Sequence, residues 1–280
     1  MTAAHATAQD FARTLHTRGG AVLDLSGDPT VLALCDVAIA EAKPYADAGW
    51  NRVQDLWRRG PAVRALAGLK PITDALAEAY GREPFPFQTL NFHYGSQQRA
   101  HSDTIHFTPD PAHLMCGVWL ALEDVSPDAG PVEYYPGSHT LPVLSLADAG
   151  APADMTAQEA YVRYYEPAVA ARVAHITPEP ALLRKGQAFV WAANLVHRGS
   201  ARRHPSATRR SLVTHYFFAD SQYYTLMGSR ADRRAVRLPS DARTGRFMWP
   251  RMRPGDRLRT RTLAAAAVYR AARHVFRFKG

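Results

Sequence analysis

The chain has 280 residues, 46% hydrophobic and 21% charged, with a net charge of +9. This balance excludes a disordered chain and leaves room for one large β-rich domain or two small ones. Cys35 and Cys116 lack CxxC spacing, which argues against a disulfide framework or zinc cluster, and no apolar leader or run of roughly 18 apolar residues is present, so a cytoplasmic protein is expected.

Residues 7–80 read as helical, because Ala, Leu, Arg and Glu dominate; Pro44, Pro61 and Pro71 divide the region. Gly81 and Pro84-Phe85-Pro86 close it. From Phe87 the texture changes to short strands separated by turns. Gln88–Tyr94, His101–Phe107, Leu114–Leu122, Val132–Tyr135, Ala181–Val190 and Ser211–Phe218 are the predicted strands, Leu114–Leu122 being almost wholly apolar and so buried. Pro127–Pro131 is a turn signal, and residues 141–172 read as an insertion with some helix. The expected fold is mainly β, a double-sheet jelly roll over 87–220. N-terminal helices from 1–86 cover one sheet, and 221–280 supply a lid and tail. One domain spanning 1–280 is the economical reading.

The charge is unevenly placed. Residues 242–280 hold 11 of the 34 Lys and Arg but only one of the 25 acids, Asp256, so this tail is about +10 and the remaining 241 residues about −1. Such a tail suits anionic lipid, nucleic acid or a phosphorylated carrier. The plainer reading is a solvated C-terminal helix with its arginines outward, and nucleic acid is not the expected partner.

The chemistry is concentrated in His101-Ser102-Asp103, answered by His197 and then Arg209. On a strand, alternate side chains share a face, so His101 and Asp103 can both reach one metal. His197, placed just past a strand end, would complete a two-histidine, one-carboxylate triad that leaves positions open on a redox-active iron. An HxD pair alone is weak among twelve histidines; its combination with His197 and a carboxylate-gripping arginine is much stronger.

These residues carry a resemblance. Leu90–Ser96, the His101/Asp103 pair, Gly130-Pro131-Val132-Glu133, Pro136-Gly137-Ser138-His139, and His197 followed by Arg209 resemble the phytanoyl-CoA dioxygenase family over roughly residues 80–220. The resemblance implies a jelly roll, dependence on Fe(II), 2-oxoglutarate and O2, and a triad of His101, Asp103 and His197 that is both metal-binding and catalytic. It implies that Arg209 binds the distal carboxylate of 2-oxoglutarate, with Arg210 facing the other way. Asn91 and Trp119 stand where such enzymes often contact that co-substrate. His139 reads as structural. Arg198 departs from the family, where a small residue is common, and would narrow the pocket or meet an acidic substrate. Asp103 itself argues against halogenation, which needs that position free on iron.

The expected activity is therefore hydroxylation of a small metabolite with release of succinate and CO2. The substrate is unnamed: a free small molecule, an anionic one and a carrier-linked one all stay open. Tyr161, Tyr164, Tyr165, Tyr223, Tyr224, Phe247 and Trp249 in residues 141–172 and 221–250 would either meet it or anchor the loops. Two other readings compete. A zinc or manganese hydrolase or isomerase would use the same ligands without needing Arg209, and a non-catalytic jelly roll would bind through the basic tail.

Overall fold

The computed structural model describes residues 8–230, 233–250, 252–254 and 256–258. Its N-terminal part holds helices α1 (Ala8–Arg18), α2 (Pro29–Asp47), α3 (Pro61–Ala67) and α4 (Lys70–Tyr80). The Asp28 carboxylate caps α2 by accepting from the Thr30 and Val31 amides, with Pro29 at the first helical position. Pro61 and Pro71 likewise sit at helix starts. Pro44 does not divide the region as expected; it lies inside α2 near its end, where it removes one hydrogen bond and leaves the helix continuous.

The expectation of helix throughout 7–80 is corrected at two places. Gly20–Asp24 forms strand β1 and Arg52–Gln54 forms β2, the two edges of the main sheet. Both owe their conformation to pairing across the fold, β1 with β8 and β2 with β3, which overrides a helical local composition. Strand β3 (Pro84–Phe92) also begins earlier than expected. Pro84 and Pro86 are tolerated because β2 reaches only Leu90–Phe92, so no ladder asks for their missing N–H on that edge.

Further along come β4 (Thr108–Asp110), β5 (Met115–Ala121), β6 (Val132–Tyr134), β7 (Glu179–Pro180), β8 (Gln187–Ala192), β9 (His197–Gly199), β10 (Ser211–Phe218), β11 (Gln222–Arg230), β12 (Arg233–Val236) and β13 (Arg257–Leu258). The main sheet runs β1-β8-β5-β10-β3-β2, all antiparallel; β7-β6-β9 form a small sheet, and β13-β12-β11-β4 a third. The chain is thus mainly β, an open jelly roll with flanking helices. The run predicted over 181–190 starts only at Gln187. His101–Phe107 is no strand either: His101 makes one bridge to His197, and Ser102 then caps a 3₁₀ turn over Asp103–Ile105. The insertion over 141–172 does carry helix, with α5 (Ala157–Ala160), a π turn at Tyr161–Tyr165 and α6 (Glu166–Val173).

Alternation along the main strands sets the layers. Val118 and Leu120 of β5, Ala188 and Val190 of β8, and Leu212, Tyr216 and Phe218 of β10 pack against α1–α4. The intervening residues Trp119, Phe189, Trp191 and Val213 face the small sheet, meeting Val132. Helices therefore cover one face of the main sheet, and the chemistry lies on the other.

Candidate metal and anion site

The bridge between His101 and His197 consists of two reciprocal backbone hydrogen bonds of 3.0 Å, which fixes the two imidazoles side by side with ring centroids 4.4 Å apart. His197 is the first residue of β9, not a position beyond a strand end. Each ring is oriented by a backbone carbonyl: His101 Nδ1 lies 2.8 Å from Arg99 O and His197 Nδ1 lies 3.1 Å from Leu195 O. Carbonyls only accept, so both Nδ1 atoms carry hydrogen and both Nε2 atoms keep a free lone pair.

Asp103 arrives on the 3₁₀ turn. The Ser102 hydroxyl caps that turn by accepting from Thr104 N at 3.2 Å, and it contacts Asn194 Oδ1 at 3.1 Å. The result is one ligand atom each from His101, Asp103 and His197, all within 4.8 Å of one another and all buried. This is the one such group among the described residues.

Two residues outside the sequence-predicted set complete the surroundings. Trp191 Nε1 donates to Asp103 Oδ2 at 2.7 Å, and His215 Nε2 lies 3.4 Å from the same oxygen. Asp103 Oδ1 is left toward His101 Nε2, 3.8 Å away. Trp191 can lie there only because Gly117 stands opposite; a Cβ on Gly117 would sit 2.2 Å from the indole. His215 could have been found by stepping two residues at a time from Arg209, and Trp191 by the same step from Phe189.

Burial alone would raise the Asp103 carboxyl, but His215, His197 and the His215 hydrogen bond hold it well below the usual carboxylate range. Burial and the neighbouring His197 push His101 down to about 3. The site thus presents an anionic carboxylate and, at His101, a neutral imidazole at ordinary pH, which is the state a metal requires.

Arg209 precedes β10 and lines the same cavity of about 290 Å³ as the three ligand residues. It is only 2% exposed. Its Nη1 donates to Gly130 O at 2.9 Å, its Cζ lies 5.2 Å from the Trp119 ring, and Nε has no partner. Gly130, at φ +74°, holds a left-handed turn that aims this carbonyl at the arginine. No acid pairs with Arg209, and burial lowers its pKa to about 10. A buried cation with a single neutral acceptor is expensive unless an anion completes it. Arg210 faces away and is bound by Glu123 at 3.1 Å.

Trp119 is fully buried beneath Arg209, with its own Nε1 unpartnered. Asn91 does not join the group. Its neighbours in register, Leu212 and Val53, belong to the helix-side core, and Asn91 lines a separate cavity beneath α2. Its β3 neighbours Gln88, Leu90 and Phe92 face the site instead. A β-bulge beside His215/Tyr216 shifts the parity of β3, which a sequence pattern does not reveal. Arg198 is held by Glu133 at 2.7 Å and so is already paired. His139 is structural: its Nε2 contacts His16 O at 2.9 Å, and its ring packs against Gly19.

The aromatic residues expected over the site mostly serve as anchors. Tyr161 and Tyr165 stack on each other at 5.1 Å within their own cluster, and Tyr223 is buried against Phe85 and Phe217. The mouth of the cavity is polar instead, with Arg52, Gln54, Gln88, Gln98 and Arg237. Of the basic tail, Arg243 pairs with Asp241 and Glu83, and Arg253 with Asp110. The expected helix beyond lies outside the described residues, as does any role for it. None of the described helices is long and apolar enough to cross a membrane.

The donor set and the unpaired buried arginine fit a divalent metal beside a carboxylate-bearing co-substrate. The family model described as phytanoyl-CoA dioxygenase (PhyH) matches residues 45–211. Three solved structures share the fold. The epimerase SnoN, in complex with Fe3+, alpha-ketoglutarate and nogalamycin RO, is 19% identical at a TM-score of 0.63, covering 91% of this chain and 96% of its own. The non-heme alpha-ketoglutarate-dependent carbocyclase SnoK from nogalamycin biosynthesis is 18% identical at 0.62, covering 78% of this chain and 86% of its own. EctD from S. alaskensis, with 2-oxoglutarate and 5-hydroxyectoine, is 18% identical at 0.57, covering 82% of each chain. No curated protein matches the chain in sequence.

Proposed function

The chain belongs to the phytanoyl-CoA dioxygenase family, whose enzymes use Fe(II), 2-oxoglutarate and O2, and on that footing we propose that it hydroxylates a small-molecule metabolite with release of succinate and CO2. The observation that carries the reading is Arg209: a buried guanidinium without a counter-ion, in one cavity with the His101–Asp103–His197 group. A hydrolase or isomerase using the same three ligands would leave that cation unexplained. All 280 residues are read as one oxygenase domain, and the protein as cytoplasmic.

In this reading His101, Asp103 and His197 hold Fe(II), which when bound supplies the activation of O2 coupled to oxidative decarboxylation of 2-oxoglutarate. The protein's share is positional. Arg209 grips the distal carboxylate of the co-substrate, Gly130 O fixes one end of the guanidinium, and Trp119 forms its floor. Trp191 and His215 hold Asp103 Oδ2, leaving Oδ1 as the carboxylate's free ligand atom. The apolar wall of Leu90, Phe92, Val132 and Val213 limits water around the reacting centre.

The neighbouring folds include an epimerase and a carbocyclase as well as a hydroxylase, so the outcome for the substrate is tested separately from the co-substrate chemistry. Succinate formation should depend on added Fe(II), 2-oxoglutarate and O2 together. Product recovered from turnover under labelled oxygen should carry one labelled atom. Succinate without incorporated label would replace hydroxylation by cyclisation or epimerisation.

A further inference from the structure

The rim of the catalytic cavity holds two cations that the reaction chemistry does not use. Arg52 is the first residue of β2; its side chain and that of Gln54 lie on the cavity side, while Val53 between them packs into the helix-side core. Arg237 follows β12, with its Nη1 donating to His106 O at 3.4 Å and its guanidinium 4.8 Å from the Phe107 ring. Both cations come close enough to act on the same group. His106, held low first by its burial, is lowered further by Arg237 and by Arg52.

The remaining charges of the cavity are accounted for. Arg198 is neutralised by Glu133, Arg209 lies at the buried end for the co-substrate, and Asp103 is the only carboxylate among the lining residues. Even after a dicarboxylate binds at Arg209, the rim keeps its positive field.

We infer that Arg52 and Arg237 form an oxyanion clamp at the cavity mouth, selecting a substrate that carries a carboxylate or phosphate several bonds from the carbon to be oxidised. This inference rests on the oxygenase reading, since it assumes that Arg209 serves the co-substrate. Two arginines on different elements suit an oxyanion because each can present paired N–H donors. A charged anchor held away from the reacting carbon also fixes its position, which is what selective oxidation at one carbon needs. Gln54 and Gln88 beside the pair would serve neutral polar groups of the same molecule.

The test uses full-length protein loaded anaerobically with Fe(II) and 2-oxoglutarate, titrated calorimetrically with phenyl phosphate, benzoate and benzyl alcohol. Phenyl phosphate or benzoate should bind at least about tenfold more tightly than benzyl alcohol. Arg52→Gln and Arg237→Gln should each weaken the preferred anion by about tenfold and leave benzyl alcohol unchanged. Whichever anion wins tells a phosphate clamp from a carboxylate clamp. Equal binding of the alcohol and both anions, or anion affinity indifferent to both substitutions, overturns the proposal. The visible chelate band recorded on the same samples reports the iron reading independently. If the band is missing while both arginines still govern anion binding to the metal-free protein, the oxygenase reading fails and the clamp stands.

Discussion

The two faces of the main sheet are built from the same strands and obey different rules. On the helix side, Val118, Leu120, Val190, Leu212 and Phe218 touch other apolar side chains of the same molecule. On the site side, Trp119, Arg209 and His215 each keep a buried polar atom with no protein partner. Buried polar groups are ordinarily satisfied. The contrast teaches that one face is complete as folded, whereas the other is completed by a ligand.

The largest expected effect that sharpens this contrast comes from Asp103→Ala. Removing one of three donor atoms should lower iron affinity by more than about 100-fold and take succinate formation below detection; a metal titration with a turnover assay checks it. Turnover close to the parent's would break the site-side half of the comparison. Arg209→Gln should keep iron bound but raise the 2-oxoglutarate requirement by about 10- to 100-fold, since charge-assisted bonds contribute about 1.5–3 kcal/mol. An unchanged KM for 2-oxoglutarate would move that role elsewhere.

Trp191→Phe should loosen Asp103 without emptying the core, weakening iron binding by about 10-fold with a small change in stability. Equal iron affinity would reduce the indole to packing. Asn91→Leu gives the smallest effect. It removes an amide with no partner on the helix side, so stability by denaturant titration should stay within about 1 kcal/mol or rise, with 2-oxoglutarate affinity unchanged. A loss of co-substrate affinity in this variant would place Asn91 back at the site and blur the distinction between the faces.

What the sequence made legible follows the same division. The apolar runs of β5 and β10 and the turn at Pro127–Pro131 have local causes, and they are read correctly from pattern alone. The triad and Arg209 are legible because few other chemistries need those residues in that order. The edge strands β1 and β2 are not legible, because short segments in Ala-rich surroundings become strands only through their partners. His101–Phe107 misleads because Ser102 caps a 3₁₀ turn that alternation cannot anticipate. Asn91 misleads because a single bulge reverses which residues of β3 face the site. Trp191 and His215 act through Asp103, and nothing in their local sequence reports a partner 88 residues away in one case.

The central claim is that His101, Asp103 and His197 with Arg209 form one site for Fe(II) and 2-oxoglutarate. The most direct measurement is an anaerobic titration of metal-free protein with Fe(II) and then 2-oxoglutarate, following the visible chelate band in the parent and in Arg209→Gln. The account expects a band saturating at one equivalent of iron in the parent, and in the variant the same band only at much higher 2-oxoglutarate. Iron binding in the parent with no band at any 2-oxoglutarate concentration would contradict it.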